Sequence, residues 1–480
     1  MENNLPKGWI ECSIGEILIS RKGKKPSSTI NEPKEGYLPY ILIDEMEGKP
    51  VRAYTNDQSV PLVKKNDVLL VWDGSIGKCG SGLEGVIGST LVALTPQGNI
   101  PTKFLEYTIR NVNPFIKETS TGTGLQHINK DFFKECVIPL PPLPEQQRIV
   151  EKLDALMARM ANSKTRLEKI PTLLKNFRQS VLAAAISGEL TKEWREGNKE
   201  HETGTQLLLR IEKHRKVRKR TQNLNEDFIK LEVPDSWKIT NIDNIADEVV
   251  DCPHSTPRWE SSGKICLRTT NFLPNKLDLS EVRYVSDKTF QERTARLKPK
   301  YGDLLYSREG GILGIGCILN IKKEVCLGQR MMMFRVNSNV DNSYVCYFLN
   351  SPQILKHVNS LIGGSAAPHI NVRDIKEYPL PLPPLEEQKE IVRKVEELFH
   401  FADSIEARYQ KAKTWFDKLP QSLLAKAFRG ELVPQDENDE PASELLKRIQ
   451  QAKQNYKPSS KAKKRKMYED NDQLSLVAEE

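Results

Sequence analysis

The chain has 480 residues, 38% hydrophobic and 28% charged, a balance that supports packed cores and excludes the disordered class. Its length is about three times that of a common domain, so two or three folded units are expected, and its excess of basic over acidic residues (72 − 64 = 8) suits a polyanionic partner without requiring one. Eight scattered cysteines without a C-x-x-C pair indicate neither zinc nor a disulfide framework, and the absence of an apolar leader in Met1 to Trp9 or of any run of about 18 apolar residues leads us to expect a cytoplasmic protein with no membrane partner.

In chain order, LPKGWIECSIGEI (Leu5 to Ile17) opens a region, about 10–136, of short apolar runs separated by glycine turns: YLPYILI (37–43), DVLLVW (67–72) and STLVAL (89–94). These predict strands, with a helix from Thr102 to Asn111. PLPPLPEQQRIV (139–150) follows. From there Ile149, Leu153, Leu156, Met160, Ser163, Leu167 and Ile170 fall in a 4-3 alternation that predicts a helix ending near Ile170, where Pro171 removes a donor and restarts it. From Glu145 this helix spans roughly 39 Å at about 1.5 Å per residue. Major-groove half-sites recur about every 34–36 Å, so such a helix has the length of a spacer between two readers. SVLAAAISGEL (Ser180 to Leu190) and the amphipathic, then strongly basic QLLLRIEKHRKVRKR (206–220) complete this half.

The chain then repeats itself. VPDSWKITNIDNI (Val233 to Ile245) lies over the opening segment, with Trp237 over Trp9 at an offset of 228. KYGDLLY around Asp303 matches KKNDVLL around Asp67 at 236. His369-Ile370-Asn371 matches His127-Ile128-Asn129 at 242, as do PLPPL (381–385) and Glu387-Gln388 over Glu145-Gln146. Thereafter the offset is constant, and SLLAKAFRGEL (Ser422 to Leu432) keeps 242. Each half thus has a region free to gain loops and a region of fixed length, as expected of helices that keep register with a partner. The second region, 238–378, carries GDLLYS (302–307), MMMFRV (331–336) and a helix from Asn342 to Leu349. Its heptad copy places Ile391, Val395, Leu398, Ala402, Ile405, Tyr409 and Ala412 in the same register, so the two copies are expected to pair; the plainer alternative is that each packs on its own domain. Pro420 is not equivalent to Pro171 at offset 242, so the second helix is expected to run farther. SELLKRIQQAKQ (443–454) closes this half, and the tail from KPSSKAKKRK (457–466) to Glu480 reads as disordered and either solvated or phosphate-binding.

Polar, basic and glycine-rich loops in the two variable regions are the candidate DNA-facing segments. They supply Arg21, Lys22, Lys24, Lys25, Ser75, Lys78, Thr121, Thr123, Gln126, His127 and Asn129 in the first, and Arg268, Thr270, Asn271, Arg308, Arg330, Ser365, His369 and Asn371 in the second. Arg and Lys can meet phosphates or guanine edges, Asn and Gln adenine edges. The repeated His-Ile-Asn fits a reader and a structural turn before PLPPL equally well. No G-x-x-x-x-G-K-[ST] loop, N-P-P-[YF] motif, H-E-x-x-H or nuclease-like carboxylate cluster occurs, so ATP hydrolysis, methyl transfer and strand cleavage by this chain are not expected.

A half built as P-x-x-W, variable region, PLPPLPEQQRIV, heptad helix and SVLAAAISGELT, then repeated with PLPPLEEQKEIV (381–392) and SLLAKAFRGELV (422–433), resembles the specificity subunits of type I restriction–modification systems over residues 5–454. The resemblance implies an α+β, pseudo-twofold molecule: recognition domains at 1–143 and 233–385, helical regions at 144–190 and 386–432 that pair antiparallel, a basic linker at 191–232, a C-terminal helix at 433–456 and a tail at 457–480. Ile149, Leu153, Leu156, Met160 and Leu167 would pair with Ile391, Val395, Leu398, Ile405 and Tyr409. It further implies that each domain reads half of a bipartite double-stranded DNA target, that two modification subunits bind the helices, and that restriction subunits join them. The chain itself would bind no cofactor; S-adenosylmethionine, ATP and magnesium would belong to the other subunits. Because the two domains differ, an asymmetric target is expected. The rival readings are a methyltransferase carrying its own recognition domains, which lacks the motifs it needs, and a coiled-coil scaffold without sequence-specific DNA binding.

Overall fold

The structure, a computed structural model, describes residues 5–122, 126–198, 202–213, 232–361 and 368–455. The basic stretch beyond Lys213 and the tail 457–480 lie outside the described residues. The chain forms two compact units, one of Met1–Leu167 with Lys411–Glu480 and one of Glu168–Gln410. The divisions fall inside the two helical regions rather than at their ends, because the residues on either side of each division pack into different cores.

In the first unit a four-stranded sheet has the order Leu18–Lys22, Leu91–Pro96, Val68–Val71, Cys79–Ser81. Side chains alternate across a strand, so an unbroken apolar run supplies two cores. Val68, Leu70, Val92 and Leu94 enter the larger core beneath the helices, while Leu69, Val71, Leu91 and Ala93 face Ile41, Val63 and Ile87 of a smaller sheet. The second unit repeats this plan with Ala246–Asp251, Met331–Val336, Leu304–Ser307 and Gly316–Ile318. Leu304, Tyr306, Met332 and Phe334 face one core; Leu305, Met331 and Met333 face the other.

The strand expected over 37–43 stops at Ile41, and Ile43–Met46 turns into a short helix whose start is held by Glu45 Oε2 accepting from the Leu42 amide at 3.1 Å. The helix expected over Thr102 to Asn111 continues through Pro114 to Glu118, which buries Ile116. Asn342–Leu349 is helical as expected.

The first helical region is broken at Glu168–Lys169 into Leu143–Leu167 and Ile170–Ser187, with Pro171 in the first turn of the latter, where its missing N–H costs nothing. The second is one helix of 43 residues, Leu385–Ala427, with Pro420 inside. Packing within each unit joins a heptad segment to the later segment of the other copy. Ile391 and Val395 share a core with Val181, Leu182, Ala185 and Ile186; Ile149 and Leu153 share one with Leu424, Ala427 and Phe428. In the second unit the helices run antiparallel, since Arg178 meets Asp403 and Glu406 at 2.6 and 3.0 Å while Lys394, nearer the start of its helix, reaches the Leu190 carbonyl at 3.0 Å. Within its own unit, then, the start of each heptad helix packs on the other copy's later segment, SLLAKAF or SVLAAAI. Leu156, Met160, Leu167, Leu398 and Ile405 are only partly buried, and Tyr409 is buried.

Two glycines explain why the ends of these segments recur. Gly188 and Gly430 have φ of 80° and 74°, and a Cβ on either would lie 2.7 Å from Pro234 Cγ or 2.3 Å from Pro6 Cγ. Each closes a helix against the proline of a P-x-x-W segment. The helices Gly204–Lys213 and Ala442–Asn455 dock equivalently, through Gly204 N–H to Ser236 O at 2.8 Å and Ala442 N–H to Gly8 O at 2.9 Å.

Candidate nucleic-acid interface

Each sheet domain is fastened to its helix by the same clamp. The Trp9 indole donates to Glu145 Oε2 at 2.9 Å and the Trp237 indole to Glu387 Oε2 at 2.8 Å, both in the interior. Burial pushes the Glu145 carboxyl above its ordinary range, against hydrogen bonds from Trp9 and Gln435. Glu387 has stronger company: Thr191 Oγ1 at 2.7 Å and Arg195 Nη1 at 2.5 Å. The adjacent glutamines donate to Pro141 O and Pro383 O at 2.9 and 2.8 Å. Gln388 also accepts the Asp341 amide at 2.9 Å. The corresponding helix-cap position in the first unit is Pro101, which has no N–H, and Gln146 Oε1 lacks a partner.

The clamp orients one edge of the main sheet, formed by a hairpin turn, the end of the first strand and the His-Ile-Asn segment. In the first unit Ile128 N–H bonds Trp72 O at 3.0 Å and Gly74 N–H bonds Gln126 O at 2.9 Å; in the second Ile370 N–H bonds Arg308 O at 2.9 Å and Gly310 N–H bonds Pro368 O at 3.0 Å. Ile128 and Ile370 are buried. Asn129 caps the helix Lys130–Glu135, accepting from Asp131 and Phe132 amides at 3.1 and 3.3 Å, whereas Asn371, also at a helix start, donates to Asp374 at 3.1 Å. In both copies the Ile is buried and the His exposed at the edge, while the Asn caps a helix in the first unit only.

The groups at this edge differ between the units. In the first, Asp73 accepts His127 Nδ1 at 2.7 Å and pairs with Lys22. Burial raises the Asp73 carboxyl, but the hydrogen bonds from His127 and Lys22 outweigh it and hold the group below its usual value. Lys24, Lys25, Ser75, Thr121 and Gln126 are exposed beside them; Lys78 is exposed and paired with Glu47 at 2.5 Å; Thr123 lies outside the described residues. Arg21 turns inward to Asp67 and Thr95.

In the second unit Arg308 is interior, its side chain 7% exposed. Its guanidinium bonds both oxygens of Asp251 at 2.8 and 3.0 Å, the Ile370 carbonyl at 3.1 Å and Glu309 at 2.7 Å. Asn271 is also buried, donating to Asp278 O and Glu281 O at 2.9 and 2.8 Å and accepting the Arg268 amide at 2.8 Å. Neither Arg308 nor Asn271 offers a free donor for a base edge, because a buried polar group is held by the partners that offset its lost hydration. Thr270, Arg330, His369 and Asn371 are exposed, Arg268 is partly exposed, and Ser365 lies outside the described residues. The sequence reading missed Asp251 and His254; His254 lies 3.0 Å from Asp251 and 3.4 Å from Glu309.

Among the described residues no helix is long and apolar enough to cross a membrane. The description "Type I restriction modification DNA specificity domain" matches residues 6–172 and 236–414. The chain is 30% identical over 445 residues to the type I restriction enzyme EcoDI specificity subunit of Escherichia coli, covering 91% of each, and 28% identical over 462 residues to the EcoKI specificity subunit of the same species, covering 91% of this chain and 92% of that one. By fold it resembles the specificity (HsdS) subunit from Thermoanaerobacter tengcongensis, with a TM-score of 0.54, 19% identity and coverage of 89% and 98% of the two chains. A chain from a type I restriction–modification assembly gives a TM-score of 0.63 at 18% identity, with coverage of 89% and 99%. With both matched segments falling on the two clamped, repeated halves, the chain belongs to the type I restriction–modification DNA specificity family.

Proposed function

We propose that this chain is the sequence-reading subunit of a type I restriction–modification complex, a subunit that carries no catalytic site and lends its target to others. The observation that carries the reading is the duplicated, clamped sheet edge bearing different charged groups in its two copies. A repeated scaffold with unlike edges is what reading two different half-sites requires. Each unit takes one half of an asymmetric, bipartite double-stranded target. Two modification subunits dock on the helices and methylate adenine with S-adenosylmethionine; restriction subunits add ATP- and magnesium-dependent translocation and cleavage. The helical segments act as the spacer between half-sites, and the complex works in the cytoplasm.

The test is genome-wide adenine methylation in cells expressing the chain with its modification subunit, against cells lacking only this chain. A two-part asymmetric methylated motif that depends on the chain is the expected result. An assembled, active complex without such a motif would favour the scaffold reading.

A further inference from the structure

Resting on that reading, we propose that Arg330 reads a guanine in the half-site taken by the second unit. Three non-glycine residues among those described have a left-handed backbone: Asn99, Asn275 and Arg330, with φ of 60°, 62° and 73°. Asparagine tolerates this region readily, while an arginine there is uncommon and persists only where something other than backbone preference holds it. The fold does not demand it. Arg330 sits just before the strand Met331–Val336, and its carbonyl accepts the Arg308 amide at 3.1 Å; in the first unit the equivalent bond, Thr90 O to the Trp72 amide at 2.8 Å, is made by a residue that is not left-handed.

The consequence of the twist is the placing of the side chain. Arg330 is exposed at the edge that carries His369 and the 308–316 hairpin. Its guanidinium lies over Gly310, where a Cβ would stand 3.3 Å from Nη1, so the hairpin glycine leaves the room it occupies. The acids nearby are engaged elsewhere: Asp251 and Glu309 hold Arg308 and His254. Arg330 makes no side-chain hydrogen bond or ion pair among the described residues. It is an exposed fork of donors set at the edge by its backbone, and guanine presents two acceptors, O6 and N7, that match that fork in the major groove.

The experiment compares the methylated motifs produced by the complex containing the wild-type chain, Arg330→Gly and Arg330→Lys, with thermal unfolding of the same complexes. Arg330→Gly relieves the backbone and keeps or raises the melting temperature, yet discrimination for guanine at one position of one half falls about tenfold or more, with the other half unchanged. Arg330→Lys loses the same position, since an ammonium does not replace the fork. Retention of the guanine by Arg330→Gly overturns the assignment. So does an even fall across the whole motif that Arg330→Lys rescues, which marks a phosphate contact. If the wild-type chain gives no motif, the reading beneath the proposal fails first and both fall together.

Discussion

The two sheet edges are the same construction with different charged groups: the strand ends in Lys22 in one and Asp251 in the other, while the hairpin carries an acid in both. Lys22 and Asp251 end equivalent strands, opposite Val92 and Met332. Trp72-Asp73 and Arg308-Glu309 begin equivalent hairpins, each bridged to a histidine, His127 or His369. In the first unit the strand supplies the cation and the hairpin an acid; in the second the strand supplies an acid, and the hairpin keeps an acid in Glu309 and adds a cation, Arg308, which is drawn inside. The lesson is that the same backbone bonds and buried isoleucine hold both edges, so that different sets of charged side chains can be mounted on one frame. That freedom is what two unlike half-sites require.

The comparison breaks most sharply at the ion pairs. Arg308→Ala leaves Asp251 and Glu309 without their interior partner and should cost about 3 kcal/mol or more, whereas Lys22→Ala, at an exposed pair, should change stability by less than about 1 kcal/mol. Thermal or urea unfolding reads both, and equal costs would show that the two edges are not differently built. At the clamps, Glu387→Ala strands the Trp237 indole, Thr191 and Arg195 together, and should cost roughly 3 kcal/mol. Glu145→Ala strands only Trp9 and Gln435 and should cost about 1–2 kcal/mol.

The caps separate the units by less. Asn129→Ala removes two amide acceptances and should cost about 1 kcal/mol; Asn371 makes no cap bond, so Asn371→Ala should stay within about 0.5 kcal/mol. The smallest effect is a pH dependence at Glu145. Its carboxyl is raised in the folded state by burial, so the ionised form opposes folding at neutral pH, and that opposition shrinks as pH falls through the raised value and is gone below the ordinary carboxylate range. Glu145→Gln should therefore gain on the wild type at pH 8, with the gain shrinking on acidification. A gain independent of pH would assign it to packing instead.

Much of this was legible in the sequence because burial writes it there. Val68–Val71 and Leu304–Ser307 are apolar on both faces since each serves two cores, and Pro171 announces the break before Ile170. Three things were hidden. The partner of each heptad segment depends on which apolar faces the fold brings together, and register alone does not specify that. The withdrawal of Arg308 depends on Asp251, 57 residues away, and that of Asn271 on the carbonyls of Asp278 and Glu281. Arg330 looked like any loop arginine until its backbone conformation set it apart.

The most direct test of the central claim, that each unit reads its own half, is to replace residues 238–378 with the matching region of the EcoDI relative and sequence the methylated motif. The account predicts that one half of the motif changes to a new sequence while the other half is retained. A motif altered in both halves, or in neither, would contradict it.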